Sequence, residues 1–120
     1  MTHNQIVPGI TNEAFAAAQL TPHQIKVYQL LSKVPKGKIT TYGDIARALG
    51  NNGSRAVGNS LNKNPFAPTI PCHRVVQSDG SIGGYAGGLE MKLKLLREEG
   101  IVIENGKVKD FEAQKVNLGR

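Results

Sequence analysis

Three prolines within eight residues, Pro65, Pro68 and Pro71, constrain the fold of this chain more than any other feature. Each fixes its own φ, removes a backbone donor and pushes the residue before it away from helix. The segment 64–71 is therefore read as a stiff, extended connector. The residues on its N-terminal side are patterned for helices; those on its C-terminal side are patterned for short strands, a glycine loop and one more helix. The connector delivers the chain's only cysteine, in Ile70-Pro71-Cys72-His73-Arg74-Val75-Val76. A thiol attacks as its thiolate, which a neighbouring base and cations favour. A lone cysteine is more often a small buried hydrophobe. A rigid proline, an imidazole and a guanidinium around this one argue for a nucleophile.

Upstream, Thr21 followed by Pro22 is a helix start. Val27, Leu30, Leu31 and Val34 recur at helical spacing, which predicts a helix over 22–33, ended by Pro35-Lys36-Gly37. Thr41, with Asp44 three residues on, opens a second helix in the capping-box pattern. Ile45, Ala46 and Leu49 would face inward and Gly50 would close it. Asn51-Asn52-Gly53 reads as a tight turn. Ser54 reads as the cap of a third helix over 55–62, with Val57 and Leu61 inward. Its outer face would carry Arg55, Asn59 and Lys63, with Ala56, Gly58 and Ser60 between them. Such a face suits a nucleic-acid backbone, since cations neutralise phosphates and small residues permit close approach. Two short helices around a glycine turn read as helix-turn-helix; an ordinary αα-hairpin is the commoner alternative.

Downstream, 74–77 reads as a short strand and Ser78-Asp79-Gly80 as a turn. Gly83-Gly84-Tyr85-Ala86-Gly87-Gly88 is too glycine-rich for helix or strand. It is either a linker or a loop whose amides approach a ligand. Leu89, Lys92, Leu93 and Leu96 define a fourth helix reaching Glu98, ended by Gly100. The segment 101–108 is a hairpin around Asn105-Gly106. The expected fold is mostly α with small β: a winged-helix-like helix-turn-helix domain with a short β-hairpin wing. Residues 1–20 are expected to be partly ordered, with Thr11-Asn12 capping a helix over 13–19. Residues 21–110 form the domain, and 111–120 are a flexible, polar tail.

The chain's 120 residues suit one domain. Fifteen Lys and Arg against nine Asp and Glu give a net charge of +6, which fits either simple solubility or a polyanionic partner. No run of 18 apolar residues is present, which argues against a membrane partner. No signal pattern precedes residue 20, so a cytoplasmic location, or a nuclear one in a eukaryote, is expected. One cysteine excludes an internal disulfide and a Cys-rich metal site. It also leaves no resolving thiol for redox chemistry that must reset itself. Neither metal nor cofactor is expected. The absence of Trp, with three Tyr, disfavours a multi-base stacking platform.

The motif Ile-Pro-Cys-His-Arg-Val resembles the active-site motif of the O6-alkylguanine-DNA alkyltransferases, the methylated-DNA–protein-cysteine methyltransferases. Pro35-Lys36-Gly37-Lys38-Ile39-Thr40-Thr41-Tyr42 resembles the family's lead into its helix-turn-helix. Ser54-Arg55-Ala56-Val57-Gly58 resembles the start of its recognition helix, and Asn64-Pro65 its hinge. Gly84-Tyr85-Ala86-Gly87-Gly88-Leu89 with Lys92 resembles its substrate loop, and Glu98-Glu99-Gly100 its closing turn. Order and spacing agree over 21–103. Many members carry a separate α/β domain ahead of this one, so the resemblance is to the C-terminal active-site and DNA-binding domain alone. The structural zinc of some relatives is not carried over. Ala86 stands where some relatives have Ser, which preserves a backbone role and removes a hydroxyl-dependent one.

The resemblance implies a DNA repair protein that flips O6-alkylguanine out of duplex DNA and transfers the alkyl group irreversibly to its own cysteine. Cys72 would attack the alkyl carbon. His73 would take the thiol proton through a water. Glu99, rather than Glu98, would hold the imidazole and favour its charged form. Tyr42 would press on the target phosphate and donate a proton to the guanine ring. Arg55 would fill the vacated space, with Ala56, Gly58 and Ser60 allowing minor-groove approach. Thr41, Asn51 and Ser78 would touch the DNA backbone. The pocket would use the carbonyls of Cys72 and Val75, amides near Tyr85 and Ala86, Lys92 to steady thiolate and loop, and Asn64 to lock the turn. Arg74 would make structural ion pairs. The partner implied is double-stranded DNA containing O6-alkylguanine, bound by a monomer, with downstream repair factors as further partners. Plainer roles compete at several positions: Arg55 as a surface phosphate contact, Tyr42 as a core aromatic, Lys92 as an ordinary helix lysine. Two other functions stay open. A non-catalytic alkyltransferase-like lesion sensor would lack the nucleophile that this chain has. A winged-helix transcriptional regulator would need a dimer seam, which is not evident.

Overall fold

The computed structural model describes residues 7, 9–50, 53–67, 69–85 and 88–118. Helix α1 (Asn12–Ala17) starts where the Thr11 hydroxyl accepts the Ala14 N–H. Its alanines are mostly exposed, and Phe15 attaches it to the rest by stacking on Phe66 at 5.8 Å between centroids. Val7 and Ile10 are buried alongside. Helix α2 (Pro22–Leu31) has a complete capping box between Thr21 and Gln24 and stops two residues short of the expected end.

Strand β1 (Thr40–Thr41) runs straight into helix α3 (Tyr42–Ala48), whose cap is the Thr41 hydroxyl accepting the Asp44 N–H. β1 pairs in parallel with β2 (Val75–Val76), Thr40 opposite Val75 and Thr41 opposite Val76. The strand expected over 74–77 is shorter because Cys72–Arg74 wind into a 3-10 turn. Successive strand residues point to opposite faces. Val75 therefore enters one core, with Val27, Leu31, Ile45, Val57, Ile70 and Cys72. Val76 enters another, with Ile39, Ile82, Leu96, Ile101 and Val108. The cysteine segment is the seam between the two.

Helix α4 (Ser54–Asn62) begins with Ser54 itself; the cap position is Gly53, without a side-chain bond, which corrects the expected Ser54 cap. Asn51 and Asn52 lie outside the described residues. Val57 and Leu61 are buried as expected. Ser60 is also inward, at 5% exposure, which corrects its assignment to the outer face. Residue 60 lies three on from Val57 and shares its side of the helix. Its hydroxyl is 3.0 Å from His23 Nδ1, and its carbonyl accepts from the Tyr28 hydroxyl at 2.6 Å.

Helix α5 (Leu89–Glu98) buries Lys92 and Leu96, whereas Leu89 is 54% exposed, outside the expected stripe. Strands β3 (Ile103–Glu104) and β4 (Lys107–Val108) pair antiparallel. Asn105 and Gly106 between them have φ of 54° and 75°, the left-handed pair that a two-residue hairpin turn requires. The segment expected as a flexible tail from residue 111 begins with local structure. Helix α6 (Phe111–Gln114) comes next, Phe111 lies against Gly80, and the Val116 N–H donates to the Ile39 carbonyl at 2.9 Å.

Candidate active site

The connector is not extended as expected but closed into a loop of turns: the Ile70 N–H donates to the Phe66 carbonyl at 3.0 Å, Asn64 Nδ2 donates to the Ile70 carbonyl at 2.9 Å, and Asn64 Oδ1 accepts the Phe66 N–H at 2.9 Å. Cys72 emerges at the end of this clamped loop, 6% exposed, as the first residue of the 3-10 turn. His73 is next, 1% exposed, with Nε2 donating to Glu99 Oε2 at 2.8 Å. Arg74 grips the same carboxylate with two bonds, Nε to Oε1 at 2.8 Å and Nη2 to Oε2 at 2.7 Å. Its Nη1 donates to the Val34 carbonyl at 2.7 Å. Glu99 is thus the bonded carboxylate, and Glu98 is exposed. Arg74 joins the chain of contacts as the residue that fixes the carboxylate that fixes the imidazole.

With Nε2 donating, the neutral imidazole has its lone pair on Nδ1, which is buried and has no partner among the described residues. Burial holds the His73 pKa below its ordinary value. The bond to Glu99 and its charge pull upward, and the charges of Arg74 and Lys92 add to the lowering. Glu99 holds the imidazole and favours its charged form, as expected, but burial outweighs that pull and the net shift is downward. For Glu99, burial alone would raise the pKa, but the bonds from Arg74 and His73 hold the carboxyl below its ordinary range. A neutral, oriented imidazole is the form that can accept a proton.

Two phenols and a lysine interact electrostatically with Cys72. Burial, the Cys72 charge and a hydrogen bond with Cys72 push Tyr85 up to about 12. Burial and the Cys72 charge also raise Tyr42. Both hydroxyls stay protonated and serve as donors. The Tyr42 hydroxyl reaches the Gly84 carbonyl at 3.5 Å, a long contact. Lys92 is fully buried and donates to the carbonyls of Val75 at 2.7 Å, Ile82 at 2.6 Å and Gly84 at 3.0 Å. Burial lowers its pKa to about 8, against the opposing pull of Cys72. It thereby ties the glycine loop to the strand after the cysteine. Ala86 lies outside the described residues.

A second group gathers on the open face. Tyr42, Gly43, Ser54, Arg55, Gln77 and Ser78 line a groove of about 430 Å³. Arg55 and Ala56 are exposed at the start of α4. Thr41 is 2% exposed and its hydroxyl is committed to the α3 cap, which corrects its assignment as a surface contact. Asn51 lies outside the described residues. The structural ion pair expected of Arg74 is present, with Glu99 as its partner, whereas nothing in the sequence singled out Gln77. Among the described residues, no group of three or more His, Cys, Asp or Glu is arranged to hold a metal ion.

The fold and the site together define a mostly helical domain built around a buried cysteine that is followed by a carboxylate-held imidazole. Residues 22–101 match the family described as 6-O-methylguanine DNA methyltransferase, DNA binding domain, and the chain belongs to that family. The methylated-DNA–protein-cysteine methyltransferase of Thermococcus kodakarensis is 49% identical over 83 residues, 68% of this chain and 47% of that protein. Mycobacterium tuberculosis OGT in complex with DNA matches with a TM-score of 0.64 at 41% identity, covering 68% of this chain and 50% of that one. S. pombe Atl1, in complex with damaged DNA containing O6-carboxymethylguanine, matches with a TM-score of 0.69 at 31% identity, covering 78% of this chain and 94% of that one. The chain spans 30–54% of the lengths of the curated relatives it matches.

Proposed function

We propose that this protein repairs O6-alkylguanine in duplex DNA by moving the alkyl group irreversibly to Cys72. The observation that carries the reading is the buried, neutral imidazole of His73, held by Glu99 and Arg74, directly after a thiol faced by Tyr42, Tyr85 and Lys92. The thiol proton passes to His73 Nδ1 through a water. The sulfur lone pair forms the S–C bond as the C–O6 bond breaks. The electron pair leaves with guanine, whose ring takes a proton from the Tyr42 hydroxyl. Amides near Tyr85 and Ala86 stabilise the departing oxygen. Val75 binds Lys92 through its carbonyl, which has a second lone pair for the exocyclic amine; the Cys72 carbonyl is the other acceptor. The product thioether has no second thiol to displace it, so each molecule acts once.

Helices α3 and α4 act as a helix-turn-helix and β3–β4 as its wing, in a domain corresponding to the C-terminal part of longer family members. A monomer binds through the minor groove. Arg55 occupies the space of the flipped base, Tyr42 presses on its phosphate, Ser78 meets the backbone, and Ala56 and Gly58 allow close approach.

Intact-mass measurement after mixing with a duplex containing O6-methylguanine should show one added methyl on Cys72, and none in Cys72→Ala. Unmodified wild-type protein would overturn the reading. A non-catalytic lesion sensor is the second reading, favoured by the 94% coverage of the Atl1 chain. It predicts binding of the damaged duplex without mass gain, so the same experiment decides.

A further inference from the structure

We infer that Gln77 is a further DNA contact, donating from its side-chain amide to a backbone phosphate beside Tyr42 and Ser78. The inference rests on the proposed DNA binding and deepens it. Gln77 is the first residue beyond β2, and the parallel register that sets Thr41 against Val76 carries it alongside Tyr42. It is exposed and lines the same groove as Tyr42, Arg55 and Ser78.

Three features hold it in place. Its backbone is closed into a turn, with its N–H donating to the Ser81 carbonyl at 2.9 Å and its carbonyl accepting the Gly80 N–H at 2.9 Å. Its Oε1 lies 3.0 Å from the Ser81 hydroxyl, which is shared with Asp79 Oδ1 at 2.6 Å. Its stem crosses Gly83, where a Cβ would stand 3.3 Å from Gln77 Cγ and 3.7 Å from the Tyr42 ring. Nε2 has no partner among the described residues. An amide whose oxygen and stem are already fixed loses little freedom when its N–H binds. In a groove that also holds a guanidinium, such a donor fits a phosphate oxygen.

The test measures affinity for a duplex containing O6-methylguanine, across a range of salt, for wild type and three variants. Gln77→Ala should weaken binding roughly three- to tenfold, the loss of one hydrogen bond, without changing the salt dependence. Gln77→Glu keeps the length and the contact with Gly83 but should bind more weakly than Ala, because a carboxylate meets phosphate. Gln77→Lys should restore binding and steepen the slope of log affinity against log salt by about one. Ala and Glu variants that bind like wild type would overturn the inference. So would a Glu variant equal to wild type beside a weakened Ala variant, which assigns the effect to packing. Binding is read independently of alkyl transfer. A wild type that binds with this dependence on residue 77 yet gains no methyl keeps the contact and overturns only the transfer reading.

Discussion

His73 sits where two opposing influences meet, and that makes its proton a stability probe. Burial weakens its hold on a proton in the folded state. Between its folded pKa and its ordinary value near 6.5, the unfolded chain therefore binds more protons. The stability that His73 allows is complete above that ordinary value and falls as pH drops through the window. Glu99, held below its ordinary value by Arg74 and His73, adds a second loss further down, as pH falls toward its folded pKa. Urea unfolding between about pH 7.5 and 5.5 should show stability beginning to decline near 6.5. In His73→Gln the decline should begin only in the carboxylate range; a flat wild-type profile would contradict the assignment. The Cys-His pair was legible as neighbours in the sequence. Arg74 was not legible as their support, because its carboxylate lies 25 residues on, at the end of another helix. Thr41 and Ser60 were misread because hydroxyl residues suit a surface and an internal bond equally well.

Helix α4 shows what periodicity reveals and what it misses. Its apolar positions 57 and 61 fix the buried side, but the boundary of that side runs through Ser60, which only the bonds to His23 and Tyr28 settle. Gly58 sits mid-helix, and a Cβ there would meet nothing within 4 Å. Gly58→Ala should therefore stabilise the free protein by about 0.5–1 kcal/mol in urea unfolding. If α4 lies against DNA, the added methyl should also lower affinity for duplex. A variant that gains stability at unchanged affinity would remove this face from the interface. Caps and apolar spacing announced α1 to α3 and α5, and Asn105-Gly106 announced the hairpin. Strand β1 gave no signal, since two threonines have no alternation to read. Its existence depends on β2 arriving beside it.

Across the whole molecule, the cysteine lies in the core it shares with Val57, Ile70 and Val75, 6% exposed. A methyl added to this buried sulfur adds volume to a packed core, and overpacking of this kind costs roughly 1–3 kcal/mol. Fully alkylated protein, verified by mass, should melt below the free protein; equal melting temperatures would refute this. The net charge of +6 favours approach to a polyanion without placing the contact; the proposed function places it at the groove of α3, α4 and the turn after β2. The sequence by itself determined helices α1 to α5, the hairpin and the adjacency of Cys72 and His73, because spacing and capping act over a few residues. Only the tertiary structure decided that Arg74 braces Glu99, that Lys92 binds three carbonyls, that Gln77 shares a groove with Tyr42, and that the chain after Phe111 docks on Ile39. Those outcomes depend on segments far apart in the chain meeting with their polar groups satisfied, and no local pattern encodes such a meeting.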